Sequence, residues 1–343
     1  MSSFISQEPP LYNLSGALIF TAYVLSALFL TAFITRSLVA QHKKSSHKRK
    51  HGREKHIRTF SALSVLNFST LSYHMPNYLI VSYQAWSKSH GYQLPGSLFG
   101  SNSLLGTREQ RVPLHIWSWL TNSTLFADFA TTICSNNARF WWTQQALLIT
   151  MAWSVFMSLE GRRRKIPHLW AYASISQILP VSFAQNLFFL AILVSPAAEK
   201  DEMVWVAHPM LLLVSLATYY VFVGLAPYVV GTNAFIGVVI TIRLLLFCPL
   251  YMPVIVPSDS GKEYLKARDT QHIFRRIMGY VGTCSLILFV VQTLISFRET
   301  GFDISRILGA IHDSPAISAL GYDYVLSLVS ACLWSSMVGS YLA

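Results

Sequence analysis

Residues 16–40 read GALIFTAYVLSALFLTAFITRSLVA, and this stretch determines the class of protein. An apolar run of about 20 residues is long enough to cross the roughly 30 Å hydrocarbon core of a bilayer as a helix. The run is too long for the apolar part of a signal peptide, and residues 1–13 lack the basic segment that normally precedes one. The stretch therefore predicts a first, uncleaved transmembrane helix.

The rest of the chain has the same apolar character. Of its 343 residues, 53% are hydrophobic and only 12% are charged, whereas about a quarter are charged in a soluble domain. Further apolar runs cover 59–84, 139–160, 168–195, 207–230, 232–256, 277–297 and 322–342. No Pro/Gly/Ser-rich linker divides them. The sequence predicts an all-α fold, a polytopic integral membrane helical bundle that forms one domain over 1–343 with about eight transmembrane helices.

Residues 114–135, LHIWSWLTNSTLFADFATTICS, leave the number of spans open. They could form a short polar span, a re-entrant element, or an interfacial helix with Trp117 and Trp119 at the level of the headgroups. A crossing here would make nine spans. The two basic segments point to different numbers of spans, since Arg162–Lys165 favour eight spans and residues 257–276 favour nine. We prefer eight spans.

The positive charge is concentrated at one place. The net charge is +11, and residues 42–58 hold eight Lys/Arg and one Glu. A basic segment between two spans predicts a cytoplasmic loop that sets the topology and touches anionic lipid. We favour this over a nucleic-acid patch, expect no nucleic-acid partner, and expect a multi-pass protein of the endoplasmic reticulum membrane.

Three carboxyl groups are candidates for catalysis because ionisable groups in membrane spans usually face a cavity. Asp128 lies in FADFA, where a carboxyl among apolar groups can stay protonated as a general acid requires, or could simply cap a helix. Asp323, in GYDY at the start of the last span, is either an N-cap or a cavity residue beside Tyr322 and Tyr324. For Glu160, next to a run of arginines, a salt bridge is favoured.

Polar groups in the spans offer binding partners. Gln177, Gln185 and Asn186 lie in one apolar run, and the two glutamines share a helix face if Pro180 kinks the helix without breaking it. These amides could bind a substrate oxygen or join helices, which is the commoner role. His74 could be an acid, a base or a packing residue. Arg243, in the middle of an apolar run, is expected to have a carboxylate partner or to snorkel.

Some chemistry is missing from the sequence. It contains no DDxxD repeat that would bind Mg²⁺ and a diphosphate, and no HExxH, GxSxG, Walker A or GxGxxG motif. We therefore expect no metal and no cofactor. The chain does carry nine Trp, sixteen Tyr and twenty-one Phe, and aromatic faces stabilise cations.

Several motifs in sequence order resemble a known family. They are SYHMPNYLIVSY (72–83), WSWLTNSTLFADFA (117–130), FWWTQQALLITMAW (140–153), EGRRRKIPHLWAY (160–172), QILPVSFAQNLFFLA (177–191) and GYDYVLSL (321–328). Together they resemble the membrane-bound terpene cyclases of fungal meroterpenoid biosynthesis, of the ascochlorin/ascofuranone type. The similarity covers about 60–340 and leaves out the basic loop.

The resemblance implies a metal-independent cyclisation in secondary metabolism. The enzyme would protonate a terminal epoxide or alkene of a prenyl chain, such as farnesyl, on an aromatic or polyketide head group, and the carbocation would then close rings. Asp128 or Asp323 would be the acid, with Glu160 as third choice. The candidate substrate-binding residues are Tyr73, His74, Trp117, Trp119, Gln177, Gln185, Asn186 and Tyr322.

Two other functions remain open. A transporter or exporter of small molecules would have a pathway open to one side and a repeat in its fold, although no internal repeat is visible in the sequence. A non-catalytic scaffold would use its polar residues only to join helices and would contain no cavity.

Overall fold

The computed structural model describes residues 14–45, 51–92, 94, 115–195, 204–207, 209–256, 261–264 and 267–337. These residues are helical apart from one small sheet and the connections. The helices are α1 (Leu14–Ser45), α2 (His51–Ser89), α3 (Ile116–Asn122), α4 (Leu125–Ile133), α5 (Asn137–Arg163), α6 (Leu169–Ile178), α7 (Val181–Val194), α8 (Pro209–Leu225), α9 (Phe235–Leu245), α10 (Cys248–Ile255), α11 (Ala267–Glu299), α12 (Ile304–Gly309) and α13 (Pro315–Met337).

The small sheet was not predicted. Strand β1 (Val204–Ala207) pairs antiparallel with β2 (Gly261–Tyr264), so that Val204 lies opposite Tyr264. Both strands come from segments between helices, and the sheet links the chain before α8 to the chain before α11.

Four described helices are long and apolar enough to cross a membrane, namely Leu14–Lys44, Met210–Tyr228, His272–Glu299 and Pro315–Met337. The pair α9 and α10 would be a fifth if it counts as one span bent by 68°. The predicted helical class is thus confirmed, with four or five described helices that could span a membrane, but the described residues do not support eight or nine spans. One reason is α7, which is apolar but has only 14 residues, or about 21 Å at 1.5 Å per residue.

The outer surface of the bundle is apolar. Leu28 on α1, Val221 on α8 and Leu294 on α11 expose 63%, 65% and 62% of their surface, and many other large apolar side chains on these helices are also exposed. A soluble protein rarely exposes contiguous apolar surface of this extent. The long helices and their exposed apolar faces fit an integral membrane protein.

Two helices form the interior. All residues of α7 are buried, and the helix packs against α2, α6 and α13. Helix α5 is buried along most of its length and packs against α10, α11 and α13. A helix that is apolar all round is expected in the centre of a bundle, so α5 and α7 hold the other helices in place.

Two predicted segments differ in the structure. The segment 42–58 is not a long loop, because α1 continues to Ser45 and α2 begins at His51; residues 46–50 lie outside the described residues. The segment 114–135 forms α3 and α4, which have 7 and 9 residues and are too short to cross a membrane.

The bend between α9 and α10 is held by α5. A bend leaves backbone carbonyls without their helical partners, and in an apolar interior these groups need other donors. One face of α5 supplies a donor every fourth residue, with Ser154 bonding the carbonyl of Leu246, Ser158 that of Pro249 and Arg162 that of Leu250. The Pro249 carbonyl lacks a helical donor for a second reason, because Pro253, four residues on in α10, has no N–H. The bend and the start of α10 therefore depend on side chains from a neighbouring helix.

Replacement of Ser158 by alanine tests this dependence. The Ser158→Ala variant leaves the buried Pro249 carbonyl without its donor, so we expect the free energy of unfolding to fall by about 1–3 kcal/mol. Thermal unfolding in detergent measures the loss. The control is Ser64→Ala, since Ser64 is also buried but bonds a carbonyl of its own helix, that of Phe60. Equal losses in the two variants would contradict the role of α5.

Candidate functional site

A cavity of about 490 Å³ lies between α1, α2, α4, α5, α6, α9 and α13. Most of its lining is apolar. Its aromatic lining residues are Phe20, Tyr23, Tyr78, Phe126, Phe129, Phe140 and Phe247. Four lining side chains on α4 and α9 are exposed at the outer surface: Phe126, Ile240, Arg243 and Leu244. The mouth of the cavity therefore lies beside these two helices and is apolar apart from Arg243.

The polar part of the cavity surrounds a break between α6 and α7. Helix α6 ends at Ile178, Leu179 is extended with φ −111° and ψ 171°, and Pro180 is the N-cap of α7. A residue before proline avoids the helical conformation for steric reasons, so Pro180 breaks the helix. The prediction that Gln177 and Gln185 share one face is therefore wrong, because they lie on separate helices.

Asp323 binds the amide end of this break. Its Oδ2 accepts a hydrogen bond from the N–H of Val181 at 2.9 Å, and its Oδ1 accepts one from the N–H of Ser182 at 2.8 Å. The first N–H groups of a helix have no partner within that helix and form a favourable site for an anion. One prediction made Asp323 the N-cap of its own helix, but it lies well inside α13. It caps α7 instead and also lines the cavity.

Arg243 and Tyr23 bind the carbonyl end of the break. Arg243 Nη1 lies 3.3 Å from Oε1 and 3.5 Å from the backbone oxygen of Gln177, and the Tyr23 hydroxyl donates to the carbonyl of Ile178. Arg243 makes no ion pair within the described residues. The prediction of a carboxylate partner for this arginine is therefore wrong among those residues. A cation at a helix C-terminus and an anion at a helix N-terminus both complement the helix dipole.

Asp128 lies outside the cavity. It is exposed, sits in the first turn of α4 and accepts a hydrogen bond from the Thr124 hydroxyl at 2.8 Å. Its neighbours Phe126 and Phe129 line the cavity, but Asp128 does not. Asp128 therefore lies in the first turn of α4 without capping it, since the N-cap is Thr124, and neither the acid in a cavity nor the helix cap describes it.

Glu160 is held by arginines. It is 8% exposed, and Arg163 bonds both of its oxygens, through Nη2 at 2.7 Å and Nε at 2.8 Å, while Arg164 bonds Oε1. Burial raises the pKa of the Glu160 carboxyl, but the hydrogen bond from Arg163 and the charges of Arg164 and Arg163 outweigh it, so that the pKa lies below its usual value. This is the salt bridge favoured from the sequence, and a group held ionised in this way is a poor proton donor.

The remaining predicted binding residues lie apart from the cavity, with the exception of Gln177. Tyr73 and Trp117 are exposed, and Trp119 is buried with its Nε1 3.3 Å from Ser82 Oγ. His74 stacks on Tyr322, with ring centroids 5.1 Å apart. Asn186 Nδ2 donates to the Ser182 carbonyl and to Ser330 Oγ, so it joins α7 to α13; Gln185 is buried beside it.

The sequence analysis did not predict the role of Tyr23, which lies in an ordinary apolar span. It also did not predict that aromatic residues of α1, α2 and α5, and Phe247 just before α10, line the cavity. The signal that could have revealed the break is Pro180 itself, because the residue before a proline is biased towards an extended backbone. A break inside an apolar run needs partners for the freed groups, and this would have directed attention to Arg243 and Asp323.

No protein-family model, curated protein or solved structure matches this chain. The function is therefore argued from the cavity and the groups that line it.

The ion pairs of Glu160 predict a pH dependence of stability. Because the pKa of Glu160 is lowered in the folded protein, its stabilisation is fully present above the unfolded pKa of about 4.3 and is lost as the pH falls through the folded pKa. We expect Glu160→Gln to cost about 3 kcal/mol at pH 7, and the gap to the unmodified protein to close below about pH 4. Unfolding in detergent from pH 3 to 8 measures the gap. A gap that does not change with pH would contradict an ionised Glu160.

Proposed function

We propose that the protein is a membrane-embedded terpene cyclase in which Asp323 is the acid. Its substrate is a lipophilic small molecule with a prenyl chain, of farnesyl length and with a terminal epoxide, on an aromatic or polyketide head group. The observation that carries the proposal is the position of Asp323, which is the only acidic residue among the described residues that line the cavity. The sequence resemblance points to the same chemistry.

The chemistry balances as an isomerisation. The carboxyl proton of Asp323 goes to the epoxide oxygen, the bond from that oxygen to the more substituted carbon breaks, and a hydroxyl group and a carbocation form. The π electrons of the next alkene form a carbon–carbon bond to the cation and close a ring. The last cation loses a proton to water and becomes an alkene, and Asp323 takes a proton back from water, so that substrate and product have equal mass and nothing is oxidised or reduced.

The backbone at the break supports Asp323 in this role. After the proton has left, the two N–H groups of Val181 and Ser182 bind the carboxylate that remains. Hydrogen bonds to an ionised acceptor are stronger than those to a neutral one. The donors are fixed by the start of α7 and need no rearrangement during the reaction, which is the condition for effective electrostatic stabilisation.

The distribution of charge favours one direction for the cascade. Arg243 is the only basic residue among the described lining residues, and its positive charge disfavours a carbocation close to it. Phe129 on α4 and Phe140 on α5 also line the cavity, and aromatic ring faces stabilise cations. Gln177, which lines the cavity beside Arg243, is the candidate for binding an oxygen of the substrate.

The location follows from the substrate. A prenylated compound partitions into lipid, and the apolar mouth beside Phe126, Ile240 and Leu244 faces the outer surface of the bundle. We retain the endoplasmic reticulum as the membrane in which the protein works.

The test is cyclisation without metal. Membranes that contain the protein are incubated in EDTA with a farnesylated phenol bearing a terminal epoxide, and an isomer of equal mass is sought by mass spectrometry. We expect Asp323→Asn to lower the rate by about 100-fold or more, because the amide has no acidic proton, and the matched control Asp128→Asn to keep full activity.

Folding has to be checked separately, because asparagine offers one acceptor oxygen to two N–H donors. Asp323→Glu keeps an acidic proton, so partial activity in that variant with none in Asp323→Asn identifies the acid. An isomer produced by Asp323→Asn would refute the assignment of Asp323, and no isomer from the unmodified protein would refute the cyclase.

A transporter is the second candidate, because the structure has two interrupted helices. The α6–α7 break and the 68° bend of α9–α10 are of the kind that forms binding sites in secondary transporters, where helix N-termini face charged groups. Uptake of the same compound into sealed vesicles in response to an ion gradient would favour transport. A cyclase needs neither a sealed vesicle nor a gradient.

A further inference from the structure

A second group of polar side chains lies between α2, α7 and α13. Five of their atoms have no hydrogen-bond partner within the described residues: Asn67 Nδ2 and Oδ1, Gln185 Oε1, Asn186 Oδ1 and Ser327 Oγ. All four residues are at most 4% exposed. None of them lines the cavity. The three helices pack against one another, and Asn186 on α7 donates to Ser330 Oγ on α13, so we place these buried atoms at the junction of the three helices.

Contacts at one end of the junction align the helices. Phe60 on α2, Phe189 on α7 and Trp334 on α13 pack together, with ring centroids 4.3 to 5.6 Å apart. Asn67 lies seven residues from Phe60 and Ser327 seven residues from Trp334. At 1.5 Å per residue each is about 10 Å from the aromatic layer along its helix.

A contact at the other end of the junction shows how α2 and α13 run relative to each other. His74 on α2 stacks on Tyr322 on α13, which places Asn67 and Ser327 between two points of contact. The chain directions of α2 and α13 are therefore opposite, and Asn67 and Ser327 lie at the same level of the junction.

The junction continues to Asp323. Ser327 follows Asp323 by one turn on α13, and Ser182, whose N–H binds Asp323, receives the amide of Asn186 at its carbonyl at 2.7 Å. The polar side chains thus form a row that begins at Asp323 and ends at the layer of Phe60, Phe189 and Trp334. This row is separate from the cavity but shares Asp323 with it.

Dry burial of these atoms would be costly. A buried donor or acceptor without a partner costs about 1–3 kcal/mol, and buried polar groups without protein partners are normally satisfied by internal water. The chemistry of the atoms also selects the ligand. The amide oxygens need a hydrogen-bond donor, and Asn67 Nδ2 needs an acceptor. A water molecule can serve as both, whereas an apolar ligand can serve as neither. A cation would be repelled by the amide hydrogens of Asn67 and by the positive end of α7.

We propose that the junction of α2, α7 and α13 is a binding site for internal water, held by Asn67, Gln185, Asn186 and Ser327 behind Asp323. When an apolar ligand occupies the cavity and excludes water from it, this site keeps the carboxyl group of Asp323 in contact with a protonatable network. The inference does not depend on whether Asp323 serves cyclisation or transport.

The test uses the sign of a stability change. Leucine has the branching and the number of side-chain heavy atoms of asparagine, with larger methyl groups in place of the polar ones, so Asn67→Leu in a dry junction would remove two unpartnered polar atoms and raise the unfolding temperature. In a hydrated junction it expels water and leaves Gln185, Asn186 and Ser327 without partners, and we expect a drop of several degrees. The control is Ser64→Ala, one turn away on α2, whose hydroxyl bonds its own helix. An unfolding temperature of Asn67→Leu equal to or above that of the unmodified protein would overturn the proposal.

Infrared spectra in H₂¹⁶O and H₂¹⁸O give a second readout. Internal water should show O–H stretching bands that shift with the isotope in the unmodified protein and in Ser64→Ala, and these bands should be lost in Asn67→Leu. If Asn67→Leu does not fold, Ser327→Ala serves in its place with the same two measurements. Bands that persist unchanged in a folded variant would refute the site.

Discussion

The break between α6 and α7 is the constraint on which the rest of the structure depends. Pro180 prevents one continuous helix, and the peptide groups that lose their partners lie in the interior of an apolar bundle, where leaving them unpaired is costly. Asp323 from α13 binds the amide end, and Arg243 from α9 and Tyr23 from α1 bind the carbonyl end. Five helices, α1, α6, α7, α9 and α13, are thereby joined at one point. The groups that repair the backbone are also the polar groups of the cavity.

The bundle contains a second interruption that is repaired differently. At the bend between α9 and α10, neutral hydroxyls of Ser154 and Ser158 bind the freed carbonyls, with Arg162 at the end of the row. Serine hydroxyls bonded in this way carry no charge and have no proton to give at neutral pH. The α6–α7 break also recruits a guanidinium, that of Arg243, but adds the carboxyl group of Asp323. The difference between the two repairs explains why the reactive groups collect at one interruption and not at the other.

Hydropathy predicted the helices that face outward and failed for those inside. Helices α1, α8 and α11 are long and exposed, so their apolar runs are typical of spans, whereas α7 is apolar because it is buried in protein. The partner of Asp323 could not be predicted, because α7 and α13 meet through residues about 140 positions apart. Asp128 misled for a local reason. Its aromatic neighbours at adjacent positions point to another face of α4, since side chains one or two residues apart on a helix do not face each other.

The position of the mouth determines which concentration governs the cavity. Phe126, Ile240 and Leu244 give the opening exposed apolar surface beside Arg243, so for a bundle embedded in lipid, as proposed, a ligand approaches from the bilayer. Occupancy then follows the mole fraction of the ligand in the bilayer, which depends on its partition coefficient and on the amount of lipid present. Adding empty lipid or detergent micelles lowers the mole fraction of the ligand in the apolar phase. The occupancy of the cavity then falls, even while the total amount of ligand in the sample stays constant.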